Sequence, residues 1–376
     1  MLSVKSINAG GGAKSAADYY ENLAKDDYYT NGGEPPGLWV GKHAEKLGLE
    51  GQQVERGELG KALEGFHPKT GEALAENAGL KHKPGHDLCF SAPKSVSVAW
   101  AAADPELRRE ISAMQAEAVR ETLAYAETSG VIHTREGHAG AIKVPHTEGI
   151  AAAMFEHSTS REGDAQLHTH AVVANLTADG KRMDFDTRHK MALGAYYRAA
   201  LADKLRERGF AIERDGKSFR LANVPKALEK EQSTRRAQIL GELHEHGQRG
   251  GKAAAVAALA TRTEKSEVNR QELFERTQAV CAANGVTSES VRALTAGHEA
   301  EPPQYNRQAV IDSVCRDAST LSEEQMRAHV FTEAQGVLSA RDAEVELTQI
   351  KSELVELTDD AGRTRWTTAE MAAIEE

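Results

Sequence analysis

The stretch MFEHSTSREGDAQLHTHAVV holds three histidines, His157, His168 and His170. His168 and His170 stand at i and i+2 on an expected strand, where alternate side chains share one face. Residues 158–165 form a polar connection. If it joins neighbouring antiparallel strands, His157 ends the first strand beside His168 on the second. Three imidazoles then converge. Such nitrogen donors suit zinc, manganese, nickel, cobalt or iron, and a three-ligand centre keeps a position open for a substrate oxygen. A lone His-x-His is more often a pair of polar residues on a half-exposed strand; the third histidine is what favours a metal. His43, His67, His82, His86 and His298 read as isolated surface residues. His244 and His246 lie on an expected helix, where i and i+2 diverge by about 200°.

A second chemistry lies in SAADYYENLAKDDYYTN, residues 15–31, which holds Tyr19, Tyr20, Tyr28 and Tyr29. On one continuous helix Tyr19 and Tyr28 would point to opposite sides, since nine residues make about two and a half turns. Asp26 and Asp27 favour a break between them. A metal site without an evident protein base, together with a tyrosine-dense segment, suggests covalent catalysis on a phosphodiester. A phenol attacks phosphorus and holds one DNA end as a phosphotyrosine. Free tyrosine has a pKa of about 10, so a cation on the scissile phosphate is needed to stabilise the developing charge. Two nucleophiles would allow two sequential cleavages. The same phenols also fit simple packing, and the pattern alone leaves both open.

These groups need elements to hold them. A helix is expected from Ala16 to Ala24, capped by Ser15. HDLCFSAPKSVSVAW starts as a strand and turns at Ser91, Ala92 and Pro93. The clearest helix begins at Pro105 with Asp104 as its N-cap. Leu107, Ile111, Met114, Ala118, Thr122 and Tyr125 form its inner stripe. Four strand-like segments follow, GVIHTRE, GAIKVPH, GIAAAMFEH and QLHTHAVVANL, and their short connections imply an antiparallel sheet. A helix over residues 190–208 precedes a hairpin around Asp215 and Gly216. Residues 225–298 are charged, alanine-rich and helical, and Pro302-Pro303 marks a domain boundary.

Composition narrows the class. The chain has 376 residues and a 40% apolar fraction, enough for two domains or one large domain with an extension. There is no apolar run of about 18 residues to span a membrane and no apolar secretory core near Met1. Three scattered cysteines, Cys89, Cys281 and Cys315, read as reduced thiols rather than a disulfide scaffold or a cysteine metal site. The net charge of −11 is concentrated from Glu299 onward, where 17 acidic residues face 7 basic ones. Local patches decide binding, so DNA is not excluded. GQRGGK at 247–252 lacks the spacing, the Ser/Thr and the preceding strand of a phosphate loop, which argues against ATP binding.

The motifs MLSV, YYENLAKDDYY, W-x-G-K-x-A-E-K-L-G-L-E-G from Trp39, HKPGHDLCFSAPKSVS and H-x-T-S-R-x-x-D-x-Q-L-H-T-H-A-V resemble the N-terminal relaxase domain of F-plasmid-type (MOB-F) conjugative relaxases, in the HUH endonuclease group. The resemblance covers residues 1–300. It implies an α+β fold with a five-stranded antiparallel palm (1–225), helical fingers over the DNA cleft (226–300) and an acidic helical tail (301–376). That tail resembles the start of a helicase portion, so no unwinding is expected here. It also implies metal-dependent, strand-specific nicking and rejoining at a plasmid transfer origin through a 5′-phosphotyrosine. Tyr19 matches the primary nucleophile and Tyr28 the second, with Tyr20 and Tyr29 their neighbours. His157, His168 and His170 match the metal ligands. Asp87 matches the acid that orients a ligand histidine or takes the tyrosine proton. Mg²⁺ or Mn²⁺ is the expected ion, with Zn²⁺, Ni²⁺ or Co²⁺ as alternatives. Expected partners are single-stranded origin DNA, relaxosome accessory proteins and a type IV secretion coupling protein. The expected setting is the bacterial cytoplasm, as a monomer without membrane insertion, with export alongside DNA. Ala165 departs from the family's usual proline, and Thr169 is usual for this branch.

Single-stranded DNA is held by cations on phosphates and by aromatic stacking. Lys94, Arg161, Arg188 and Arg235 are the candidate cations, and Trp39 reads as core rather than a base platform. Two other classes fit part of this pattern: a phosphodiesterase using metal-bound water, and a non-catalytic DNA-binding module.

Overall fold

Five antiparallel strands form the palm: β1 (Leu2–Ile7), β2 (Leu38–Val40), β3 (Gly85–Ser91), β4 (Ala151–Thr159) and β5 (Ala165–Ala174). Their order across the sheet is β1-β3-β5-β4-β2. The structure is a computed structural model. It describes every residue except 9–10, 24–32, 80, 137–141, 146–147, 161, 178–179, 182, 262–268, 297–304, 315–317 and 376.

Both faces of the palm are covered, so its central strands carry near-continuous apolar runs such as AAAMF and AVVA. On one face Leu88, Phe90, Ala152, Met154, Ala171 and Val173 join the larger core. That core includes side chains from the helices α2 (Lys94–Ala102), α3 (Pro105–Thr128) and α4 (Lys190–Glu207). On the other face Ala151, Ala153, Phe155, Val172 and Ala174 pack with Trp39 and with Ala13, Ala17 and Tyr20 of the N-terminal helix Gly11–Leu23. Trp39 is fully buried, and its Nε1 donates to Glu58 Oε2 at 3.0 Å.

Helix α3 follows its sequence pattern. Asp104 accepts from the backbone of Glu106 and Leu107, and Leu107, Ile111, Ala118, Thr122 and Tyr125 are buried. The hairpin at Asp215 and Gly216 also forms, with Ile212–Asp215 paired to Ser218–Leu221.

Other expectations need correction. Ile132–Glu136 and Ile142–Pro145 do not join the palm; they pair with each other in a separate three-stranded sheet, in which Met183–Phe185 pairs with the other edge of Ile132–Glu136. The hydrogen-bonding edges of β4 and β5 are taken by β2 and β3, which arrive from distant sequence. The N-terminal helix begins at Gly11, so Ser15 lies inside it. His43 and His82 are buried rather than superficial. The acidic tail is not wholly helical, since Val355–Thr358 pairs with Thr364–Thr367. Nor is its core separate. Phe331 of the helix Glu323–Ala334 stands edge-on to Tyr125 and Tyr196 at 5.5 and 5.1 Å. The boundary expected at Pro302-Pro303 lies outside the described residues.

Arg292 donates to both carboxylate oxygens of Asp104 at 2.7 and 2.8 Å, tying the helix Ser288–Ala293 to the start of α3. That pairing, with the two capped N–H groups, holds the Asp104 pKa down to about 2. A depressed carboxylate stabilises the fold above its unfolded value of about 3.9, and the stability fades as pH falls towards the folded value. Asp104→Ala should therefore cost about 1 kcal/mol at pH 7 in urea melts. The cost should shrink as the pH is lowered from 4 towards 2, and a pH-independent cost would contradict the account.

Candidate active site

The β4–β5 register sets His157 directly opposite His168 and Phe155 opposite His170. A bulge follows between His157 and Thr159. The three imidazole rings lie 5.0–5.3 Å apart, centroid to centroid. The three rings expected from the sequence are thus neighbours, although the His157 nitrogens do not lie within 4.8 Å of the donor atoms of both others. His168 Nδ1 donates to the Gln166 carbonyl at 2.8 Å. His170 Nδ1 donates to Asp87 Oδ1 at 2.7 Å. Each bond fixes the ring through Nδ1, as in a histidine that binds metal through Nε2. Burial opposes a charge on His170, but Asp87 and Cys89 outweigh it and carry its pKa up to about 10.

The two described tyrosines occupy different environments. Ala13, Ala17 and Tyr20 recur at helical spacing and form the buried stripe of the N-terminal helix. Tyr20 is 4% exposed and stacks on Phe155 at 5.1 Å. Its hydroxyl lies 3.1 Å from His170 Nδ1. Burial, and then the charge of Asp87, push its phenol far above the ordinary value. Tyr19 sits about 100° further round the helix. It is 41% exposed, with its ring centroid 6.0 Å from that of His157 in an edge-to-face arrangement. Tyr28 and Tyr29 lie outside the described residues.

A donor set that fits a divalent metal is present, but it is not the three-histidine set: Cys89 joins His168 and His170, and His157 falls outside the group. Ligand atoms of Cys89, His168 and His170 all lie within 4.8 Å of one another, and among the described residues no other group meets that spacing. The pleat explains why. Leu88 and Phe90 enter the core, so Asp87, Cys89 and Ser91 turn to the histidine face, and Cys89 pairs directly with His170. That alternation within HDLCFS was the available signal.

The candidate DNA cations have other occupations. Lys94 Nζ donates to the Ala165 carbonyl at 2.8 Å, and burial lowers its pKa to about 8. Arg188 forms a fork with Asp186 and reaches Glu324 at 3.5 Å. Arg235 donates to the carbonyls of Ala258 and Thr261. These three are committed within the fold because nearby carbonyls and carboxylates capture them, and Arg161 lies outside the described residues. A cationic feature escaped the sequence reading: a groove of about 630 Å³ lined by Arg108, Arg109, Arg120, Arg270 and Phe274. Met154, Glu156 and Thr169 also line it, so it opens on the palm face opposite the histidines.

The antiparallel palm thus carries an imidazole cluster on one face with a partly exposed phenol beside it. Residues 13–284 match the TrwC relaxase family, and the chain belongs to that family of conjugative relaxases. It is 32% identical over 289 residues to the multifunctional conjugation protein TraI of Escherichia coli strain K12. That match covers 72% of this chain and 15% of the relative's length. A second Escherichia coli TraI is 33% identical over the same span. Among solved structures, the metal-bound conjugative relaxase TrwC in complex with oriT DNA superposes with a TM-score of 0.64 at 31% identity, covering 77% of this chain and 100% of that one. The metal-free TrwC–oriT complex gives 0.63 at 30% identity, covering 76% and 99%. Among the described residues no helix is long and apolar enough to cross a membrane.

If Asp87 acts through His170, Asp87→Asn should weaken Mn²⁺ or Co²⁺ binding by about 10–100-fold. Isothermal titration calorimetry on the folded variant measures this, and unchanged affinity would remove Asp87 from the centre.

Proposed function

We propose that this domain nicks and rejoins single-stranded DNA at a plasmid origin of transfer, with Tyr19 as the primary nucleophile. The observation that carries the assignment is the contrast between the paired tyrosines. Tyr19 is open to solvent beside His157, whereas Tyr20 is buried, hydrogen-bonded and shifted away from ionisation. In the reaction Tyr19 Oη bonds to the scissile phosphorus as the bond to the 3′ oxygen breaks. The 3′ oxygen leaves as a hydroxyl and the 5′ phosphate stays on Tyr19. The phosphotyrosine conserves the ester, so attack by a 3′ hydroxyl reverses the step without ATP.

His157, His168 and His170 would hold a divalent cation, which when bound polarises the phosphate and offsets its developing charge. Asp87 is engaged by His170, so its role is to orient that ring rather than to accept the Tyr19 proton. Tyr20 positions the helix, and Tyr28 or Tyr29 serves the second cleavage. A cytoplasmic setting, relaxosome accessory proteins, a type IV coupling protein and export with DNA belong to the same proposal.

The test is incubation with labelled single-stranded origin oligonucleotide and Mg²⁺ or Mn²⁺, followed by a denaturing gel. A covalent adduct should form in the parent and vanish in Tyr19→Phe. Tyr20→Phe should retain the adduct and lose about 1 kcal/mol of stability with its buried hydrogen bond. Adduct persisting in Tyr19→Phe would overturn the assignment. Free 5′-phosphate without adduct would favour metal-bound water, and binding without cleavage a DNA-binding module.

A further inference from the structure

The metal centre has a donor that the three-histidine pattern does not include. Cys89 lies on β3 directly across from His170, with its side chain on the histidine face. Its sulfur and one nitrogen from each of His168 and His170 lie within 4.8 Å of one another. Its other close neighbour is Ser91 Oγ at 3.8 Å, and the residue is only half-buried. A metal that bonds nitrogen at about 2.0–2.1 Å and sulfur at about 2.3 Å holds its donors roughly 3–4 Å apart. Small side-chain rotations therefore bring this set onto one ion.

We infer that Cys89 is a metal ligand of this site, binding as the thiolate together with His168 and His170. The inference rests on the reading of the site as a metal centre and deepens it. On binding, the sulfur–metal bond forms and the thiol proton passes to solvent. Cys89, His168 and His170 alone make the three protein donors that keep a fourth position open for a phosphate oxygen. With His157 also bound, the ion must accept a fifth group to hold substrate. A thiolate is a soft donor, so the site favours Zn²⁺, Co²⁺ or copper over Mg²⁺ and Mn²⁺. Cys89 also becomes the point at which an oxidant releases the metal, because a sulfenic acid is a far poorer ligand than a thiolate.

Cobalt(II) is the probe, since its spectrum reports ligand type independently of activity. Titrated with Co²⁺, the parent protein should show visible d–d bands and an intense near-ultraviolet thiolate-to-cobalt charge-transfer band. Cys89→Ser should lose that band while keeping the d–d bands. Its Zn²⁺-over-Mg²⁺ preference should fall at least about tenfold, the effect of losing one supporting group at a metal site. Cys281→Ser, a change in the core remote from the centre, should retain the band. Cobalt d–d bands in the parent without charge transfer would overturn the thiolate ligand and leave the histidine centre standing. A charge-transfer band that survives Cys89→Ser would overturn it as well. A parent that binds no cobalt at all would remove the histidine centre and the inference with it. The parent spectrum decides the question even if the serine variant fails to fold.

Discussion

The register between β4 and β5 is the constraint from which the site follows. His157 faces His168 because these two residues are direct partners across the ladder. A slip of one residue would turn one strand's histidines to the opposite face. Burial on both sides prevents the slip, since the same strands supply Ala151, Ala153 and Phe155 to one core and Ala152 and Met154 to the other. Phe155 then needs room on its own face, and Gly37 provides it. A β-carbon at position 37 would lie 2.3 Å from the Phe155 ring, far inside van der Waals contact. The bulge after His157 absorbs the change of register before the β4–β5 connection.

Tyr20 couples the N-terminal helix to that sheet. A buried phenol must find a polar partner or cost the protein its lost hydration. Tyr20 finds His170, the ring that Asp87 holds in orientation. The position of Tyr19 at the rim follows from the same packing, because adjacent helical residues are about 100° apart. Burying one member of the pair exposes the other. The doublet therefore carries one buried and one partly exposed phenol on a single turn of helix.

Local rules made part of this legible in the sequence. The shared face of His168 and His170, the Asp104 cap and the hairpin at Asp215 each depend on a few neighbouring residues. Palm membership was not legible from periodicity. Ile132–Glu136 reads as a strand yet pairs outside the palm, while β2 has three residues and joins β4 from more than a hundred positions away. The resemblance supplied the five-stranded palm that local pattern could not. Cys89 was set aside because a single cysteine has no spacing signal; only the β3–β5 pairing brings it to His170. The intramolecular partners of Lys94, Arg188 and Arg235 were hidden for a related reason: a cation's partner is set by tertiary neighbours, here carbonyls and carboxylates from elsewhere in the fold.

The helical region beyond the palm is bound to the site by charge as well as by apolar contact. Arg270, on the helix Arg270–Ala283, donates to Glu34 at 2.9 Å and to Glu156 at 2.6 Å. Glu34 in turn accepts from the backbone and hydroxyl of Ser158, the residue after His157. Burial pushes the Glu34 pKa up, and Arg270 and Ser158 oppose that push. A buried pair of this kind adds little net stability over apolar packing, but removing one partner strands the other's charge at a cost of about 3–5 kcal/mol. Its effect is on geometry. The guanidinium fixes Glu34, Glu34 fixes Ser158, and Ser158 anchors the strand end that aims His157. A helix expected to belong to the helical fingers is thereby held to the strand that carries His157, and movement of that helix must break the clasp or carry the end of β4 with it.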